Sequence, residues 1–360
     1  MNKPNSVIEI SGKSIGNDYP TYFIADIAAN HDGDLERAKD LIYLAAESGA
    51  DAAKFQHFNA ASIVSDVGFK TLGTQQSHQS KWNKSVFEVY KDASVNLDWT
   101  ESLKETCEKA RIPFFTTPYA LDIVDFIDPF VPAYKIGSGD ITWIEMIEKV
   151  SEKNKPYIIA TGASTTDEVH RAVKAGLSIN PMLVLMQCNT NYTASLENFK
   201  FIQLNVLKTY RNMYPEMILG LSDHTPGHAT VLGAVTLGAR MIEKHFTDDV
   251  KRVGPDHAFS MDPVTWRDMV DRTRELENAL GYGVKEVEDN EKETVVIQRR
   301  ALRVKSCLQK GHIMTRDDII PLRPCPLDAI EPHDIDFVIG KSLTKELPEG
   351  DYLKYGDIVA

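Results

Sequence analysis

Cysteine is scarce in this chain and never paired: Cys107, Cys188, Cys307 and Cys325 stand far apart, with no Cys-x-x-Cys motif. That spacing excludes a disulfide framework and a thiolate cage for a metal. Long apolar runs are missing as well. No uncharged apolar stretch approaches the roughly 20 residues needed to span a bilayer, and the opening MNKPNSVIEI lacks the apolar segment of a secretory signal. Basic residues are in deficit, 40 Lys and Arg against 52 Asp and Glu, for a net charge of −12. This argues against a nucleic-acid backbone or an anionic membrane as the main partner, while leaving room for a local basic pocket. Internal repeats and low-complexity tracts are absent. What remains is an ordinary globular balance, 42% apolar and 26% charged over 360 residues, enough for one large domain and a small one. The expectation is a soluble, cytoplasmic protein.

From Tyr22 to about Leu280 short β-rich apolar runs alternate with longer amphipathic stretches. The runs are YFIADIA (22–28), DAAKFQHF (51–58), IPFFTT (112–117), PAYKIG (132–137), PYIIATG (156–162), MLVLMQC (182–188), MILGLS (217–222) and RMIEKHF (240–246). Between the first two, Leu35, Ala38, Leu41, Ile42, Ala45 and Ala46 recur at helical spacing, with Asp34 as N-cap and Gly49 as the stop. Eight strands, each followed by a helix, predict an α/β chain of (β/α)8 type, a TIM barrel, over residues 1–282. Residues 59–98, rich in Ser, Gln, Lys and Asn, read as one long loop after strand two, of the kind that acts as a lid or binding segment. The charge-rich stretch 283–296 reads as a linker or a solvated final helix, and 297–360 as a small β-rich module.

In such a barrel reactive groups sit at the carboxyl ends of the strands. Those ends carry Asp26; Lys54 and Gln56, on one face by the period of two; Thr117; Lys135, Ser138 and Asp140; Thr190 and Tyr192; Ser222, Asp223 and His224; Glu243, His245 and then Asp256. A lysine inside an apolar strand needs an anion. Two readings satisfy Lys54 and Lys135: internal pairing with Asp26, Asp140 or Glu243, or a pocket for an anion such as phosphate, with Thr117 and Ser138 as neutral donors. His224 and His245 end neighbouring strands and are placed to share a divalent cation, with Asp223 and Glu243 as outer acceptors. Oxygen-rich surroundings favour manganese or magnesium over structural zinc. His31, His57 and His257 read equally well as loop or wall residues, and Cys188 as packing inside strand six.

Taken together these strand ends resemble the sialic acid synthase family, the phosphoenolpyruvate-dependent synthases of nine-carbon acidic sugars. The resemblance rests on IADIAANHDGDLERAKDLIYLAAESGADAAKFQ, FFTTPYALDIVDF, PAYKIGSGDIT, KPYIIATGAS, LGLSDHTPG and MIEKHFTDDVKRVGPDHAFSMDP. The tail, with RRALRVKSCLQKGHIMTRDDIIPLRP and IGKSLTKELPEGDYL, is similar to that family's antifreeze-like (SAF) domain. The resemblance implies that Lys54, Thr117, Lys135, Ser138 and Ser222 hold phosphoenolpyruvate, with Asp140 and Thr190 joining the substrate-facing set. It implies that His224 and His245 bind a divalent metal, usually manganese, with magnesium or cobalt as alternatives. Gln56, Tyr192 and Asp256 would contact an N-acetylated amino sugar, and Asp26 would serve as the strand-one carboxylate. Arg323 would reach into a partner's barrel, which implies a homodimer with swapped small domains.

Four positions depart from that pattern. Asp26 stands where glutamate is usual, and Ala160-Thr161-Gly162 replaces Ser-Thr-Gly. Gln187-Cys188-Asn189 replaces His-Cys-Thr, and Arg323 is followed by Pro324-Cys325 rather than Pro-Gly. The anion and metal sets survive; the changes touch water, the phosphate periphery and sugar recognition. Two rival readings stand beside this one: another phosphoenolpyruvate-dependent keto-acid synthase acting on a sugar phosphate, and a sugar-binding barrel without catalysis.

Overall fold

The structure is a computed structural model that describes residues 2–359 apart from 73–78, 80 and 81. An antiparallel hairpin comes first, β1 (Val7–Ile10) paired with β2 (Lys13–Gly16). Its turn uses Ser11 and Gly12, both at positive φ. Eight parallel strands then close into a barrel: β3 (Tyr22–Asp26), β4 (Ala52–His57), β5 (Phe114–Pro118), β6 (Tyr134–Ile136), β7 (Tyr157–Ala160), β8 (Leu183–Cys188), β9 (Ile218–Asp223) and β10 (Ala239–His245). They pair in chain order, and β10 returns to β3. Each of the eight predicted runs supplies one strand, and a helix follows each, from Leu35–Glu47 after β3 to Pro263–Leu280 after β10. The first helix begins where its cap was expected, with the Asp34 carboxylate accepting from the N–H groups of Glu36 and Arg37.

Alternation along the strands sorts the barrel into two cores. Outward residues such as Phe23, Ala25, Phe55, Tyr134 and Ile242 pack under the helices. Inward residues such as Tyr22, Ile24, Phe115, Ile158, Val184, Met186 and Met241 fill the barrel from its amino end, and Ile8, Ile10 and Ile15 of the hairpin join them. The hairpin is a plug that closes the lower mouth. It escaped the sequence reading because two four-residue strands carry too short an alternation to stand out. With the bottom filled by hydrocarbon, the inward positions at the carboxyl ends are where the polar residues fall.

The segment 59–98, expected as a loop, is in part helical. Among the described residues it forms helices Ala60–Ile63, Asp66–Thr71 and Val86–Ala93 and a turn at Leu97–Trp99. Asn59, Ser65 and Ser85 cap the three helices, the last through a capping box with Glu88. Polar composition hid these short helices, although each cap is legible in hindsight. Positions 73–78, 80 and 81 of the expected loop lie outside the described residues.

The chain divides into two compact units, Met1–Gly281 and Tyr282–Ala360. In the second, β11 (Ala301–Val304) pairs antiparallel with β12 (Ile319–Leu322), and β13 (Ser342–Leu343) with β14 (Ile358–Val359). A core of Leu302, Val304, Leu308, Met314, Ile330, Val338, Leu347 and Leu353 holds these short strands together. The stretch expected as a linker ends in a helix, Lys292–Gln298. Cys325 donates its backbone N–H to Val296, which ties that helix to the small unit. No helix among the described residues is long and apolar enough to cross a membrane.

Ile15 is fully buried in the plug. Truncation to alanine leaves a hole between hairpin and barrel floor, so Ile15→Ala is expected to cost about 2–4 kcal/mol and lower the urea midpoint. An unchanged midpoint would mean that the hairpin does not support the barrel.

Candidate active site

At the carboxyl end of the barrel a cavity of about 390 Å³ gathers residues from most of the strands. Register explains the gathering. Asp26 lies beside both His245 and Lys54 across β10, β3 and β4, while Gln56 lies beside Thr117 on β5. Ser222 lies between Cys188 and Glu243 across β8, β9 and β10. Asp26, Lys54, Gln56, Thr117, Lys135, Ser222, Glu243 and His245 all line the cavity.

The buried charges of the floor are interlocked. Lys54 Nζ donates to Asp26 Oδ2 at 2.6 Å and lies 3.9 Å from Glu243 Oε2. Lys135 Nζ reaches Glu243 Oε1 at 3.2 Å, and Ser222 Oγ donates to the same oxygen at 3.1 Å. Gln56 Nε2 donates to Asp26 Oδ2 at 3.1 Å. The two readings of the lysines therefore merge: they are paired internally, and they also face the open cavity. Burial opposes ionisation of Glu243, but Lys135 and Lys54 together hold its carboxyl down to about 2. Burial pushes the Asp26 carboxyl up, Lys54 works against that, and the charge of Glu243 adds to it. Lys54 is desolvated too, yet its pKa stays above the ordinary value because it faces two carboxylates. Asp26 and Lys54 thus both shift upward, Asp26 mainly through burial and Lys54 through the carboxylates it faces.

Burial lowers both imidazoles, helped by the charge of His245 at His224, to about 4, and by that of Lys54 at His245, to about 3. Both are neutral near pH 7. Their ring centroids are 5.4 Å apart, packed edge-on against Phe259. His224 Nδ1 donates to the carbonyl of Asn189 at 2.9 Å, which leaves the lone pair on Nε2. His245 Nδ1 is buried without a hydrogen-bond partner. Neutral rings with a bare nitrogen fit a cation held by two histidines. No cluster of three or more His, Cys, Asp or Glu with metal-holding geometry occurs among the described residues. Further ligands would have to come from substrate or water.

One expectation is corrected here. Asp223 does not serve the histidines. Its carboxylate is taken by Lys244 Nζ at 2.5 Å and by the hydroxyls of Thr225 and Thr230, all buried outside the cavity. Alternation puts Asp223 and Lys244 on the outward face of β9 and β10, where they form a structural pair. Glu243 likewise serves the lysines rather than the imidazoles. The role of fixing the His224 tautomer falls to a backbone carbonyl, which side-chain inventory does not reveal.

The remaining predicted residues divide cleanly. Ser138, Asp140, Tyr192 and Asp256 line the cavity, whereas Thr190 is not among its lining residues and packs beside Gly162. The Thr117 hydroxyl and one Asp140 oxygen are buried without partners among the described residues. Burial pushes the Asp140 carboxyl up to about 6, with Lys135 opposing, and the Asp256 carboxyl up to about 7 against the N–H of Ala29. Arg323 belongs to the second unit, where it is exposed. His57 is held between Thr116 and Thr100, and His257 between Thr247 and Asp32. His31, His57 and His257 are not lining residues, whereas Cys188 packs at the cavity edge as part of the inner core. Sequence reasoning missed the aromatic wall: Phe58, Trp82, Tyr90 and Tyr119, joined by Ile63 and Val89. Most of these come from the segment read as a loop.

A (β/α)8 barrel with paired buried lysines, a Thr117 hydroxyl without a partner among the described residues and a neutral histidine pair in one mouth has the make-up of a barrel enzyme site. The comparisons agree. The profile of the NeuB family matches residues 41–285, and the chain belongs to this family. The N,N'-diacetyllegionaminic acid synthase of Legionella pneumophila is 34% identical, covering 97% of this chain and 97% of its own. The pseudaminic acid synthase of Campylobacter jejuni is 31% identical over 95% of this chain and 99% of its own. Among solved structures, the N-acetylneuraminic acid synthetase of Leptospira borgpetersenii, in complex with citrate, aligns with a TM-score of 0.70 at 28% identity. That match covers 82% of this chain and 97% of the other.

The structural assignment of Asp223 has a direct check. Asp223→Asn strands the buried Lys244 ammonium, so it is expected to destabilise by about 3 kcal/mol or more, read as a lower melting temperature. Metal affinity of the folded fraction is expected to stay at the wild-type value; weakened metal binding at unchanged stability would return Asp223 to the metal site.

Proposed function

We propose that this chain is a nonulosonic acid synthase, which condenses phosphoenolpyruvate with the open-chain aldehyde of an N-acetylated, mannosamine-like sugar and releases phosphate. The observation that carries this reading is the meeting of Lys54, Lys135, the unpartnered Thr117 hydroxyl and the two neutral histidines in a single cavity. The names of two relatives, an N,N'-diacetyllegionaminic acid synthase and a pseudaminic acid synthase, support it.

In this reading Lys54 and Lys135 take the phosphate and carboxylate, and Thr117, Ser138 and Ser222 add neutral donors. His224 and His245 would hold a divalent cation, manganese or a similar ion, which when bound would supply Lewis acidity towards the aldehyde. C3 of phosphoenolpyruvate forms the new bond to the aldehyde carbon, whose oxygen takes up a proton and becomes a hydroxyl. C2 is left electron-poor and accepts water. Asp26, held by Lys54 and Gln56, is the carboxylate placed to receive the proton that water gives up. The C2 hydroxyl then gives its proton to the phosphate as the C2–O bond to phosphate breaks, which expels hydrogen phosphate and leaves a 2-keto acid. The lysines orient the leaving group and neutralise its charge throughout. Gln56, Asp140, Tyr192 and Asp256 take the sugar side. The small unit, similar in sequence to an antifreeze-like domain, completes the sugar pocket of a partner copy through Arg323, in a homodimer with swapped small domains. The reaction belongs in the cytoplasm, where phosphoenolpyruvate is made.

Phosphate release is the test. With manganese and phosphoenolpyruvate, release is expected to depend on one member of a panel of 2-acetamido and 2,4-diacetamido hexoses, to vanish in chelator and to return with added metal. Full activity in chelator would sink the histidine assignment, and silence across the panel would sink the synthase reading. The swapped dimer is tested separately. Arg323→Ala and Lys135→Ala proteins, each inactive alone, are expected to regain part of wild-type turnover when mixed under conditions of demonstrated subunit exchange. No recovery would place Arg323 outside a shared site.

A further inference from the structure

Tyr119 follows Pro118 at the end of β5, and its backbone N–H donates to the carbonyl of His57 at 3.1 Å. That bond, between the ends of two neighbouring strands, points the ring into the cavity. The ring stands edge-on to Phe58, with centroids 5.8 Å apart, and Phe58 in turn packs against Tyr90 at 5.5 Å. On its other side the phenol lies over Gly137. A Cβ at residue 137 would come within 3.2 Å of the Tyr119 hydroxyl and 3.6 Å of its ring, so the glycine leaves this space to the phenol. Tyr119 therefore bridges the aromatic wall and the Ser138–Asp140 turn.

The hydroxyl held there makes no hydrogen bond with any described residue. Phenols inside proteins are normally partnered, and this one opens onto a ligand cavity. Burial first, and the nearby Asp140 second, push its pKa well above the ordinary value, so it stays a neutral donor. A neutral donor in the same cavity as an Asp140 oxygen that has no partner among the described residues suits a sugar hydroxyl or an amide rather than a phosphate, which in the synthase reading goes to the two ammonium groups of the floor. The neighbours point the same way, since Phe58 and Tyr90 form a wall for the apolar faces and methyl groups of an acylated sugar.

We propose that Tyr119 is an acceptor-specificity residue whose hydroxyl donates a hydrogen bond to a polar group of the N-acylated sugar, while Asp140 accepts from a neighbouring one. The proposal rests on the synthase reading and adds to it a residue that selects the acceptor. Tyr119→Phe is the clean variant, because the ring and its packing stay and the lost hydroxyl holds no described partner. The melting temperature is expected to stay at the wild-type value. The KM for the acceptor is expected to rise about 5- to 10-fold, the range one lost neutral hydrogen bond gives, with the KM for phosphoenolpyruvate unmoved. An acceptor KM within twofold of wild type overturns the proposal, as does an equal rise in both constants. These outcomes are read against an active wild-type protein, so they refute Tyr119 without touching the synthase reading. Wild-type silence with every sugar removes that reading, and the role of Tyr119 with it.

Discussion

The site depends on one buried carboxylate. Glu243 stands between Lys54 and Lys135, on the inner face of the barrel, and lets two buried ammonium groups share one cavity. Without it, burying the second lysine would carry an uncompensated charge, a penalty of several kcal/mol per ion. Asp26 satisfies Lys54 from the other side. The result is a floor that is balanced at rest and still offers two cations to an incoming anion. That balance also controls the neighbours: the positive field of Lys54 and Lys135 helps keep His245 unprotonated, so its nitrogens remain bases.

Such a floor needs a rigid frame, and the frame has two parts. The hairpin plug fills the amino end with Ile8, Ile10 and Ile15, so the inward side chains above it cannot sink or tilt. The outward pair of Asp223 and Lys244 binds the ends of β9 and β10 from behind, next to the strand positions that carry His224 and His245. A polar pair under the helices is costly to build, and here it is fully satisfied by Thr225 and Thr230. The two histidines therefore sit on an anchored edge.

The legible part of the site was the part that alternation controls. Strand ends, the shared face of Lys54 and Gln56, and the convergence of Lys135, Ser222 and His245 all follow from a period of two in a closed parallel sheet. Asp223 was misread because its position beside His224 looks functional in a linear listing, while the same alternation turns its side chain outward. Thr190 is not among the lining residues for a related reason: it lies beyond the end of β8, where the chain leaves the strand and side-chain direction is no longer periodic. Tyr90 was passed over inside a polar segment, and Phe58 and Tyr119 because they stand just past the ends of their strands, where an aromatic residue carries no chemical signature of its own.

By itself the sequence determined the barrel, its strand order, the end that carries chemistry and the family to which the chain belongs, because these rest on local periodicity and on residue types repeated over many positions. Tertiary structure alone decided which charges neutralise each other, which nitrogen of His224 carries the lone pair, and which aromatic residues line the cavity. Those properties arise between residues far apart in the chain, such as Lys54 with Glu243 or Tyr119 with Gly137. Only closure of the sheet brings them within a few ångströms, and only burial at that distance makes their charges and hydrogen bonds strong enough to matter.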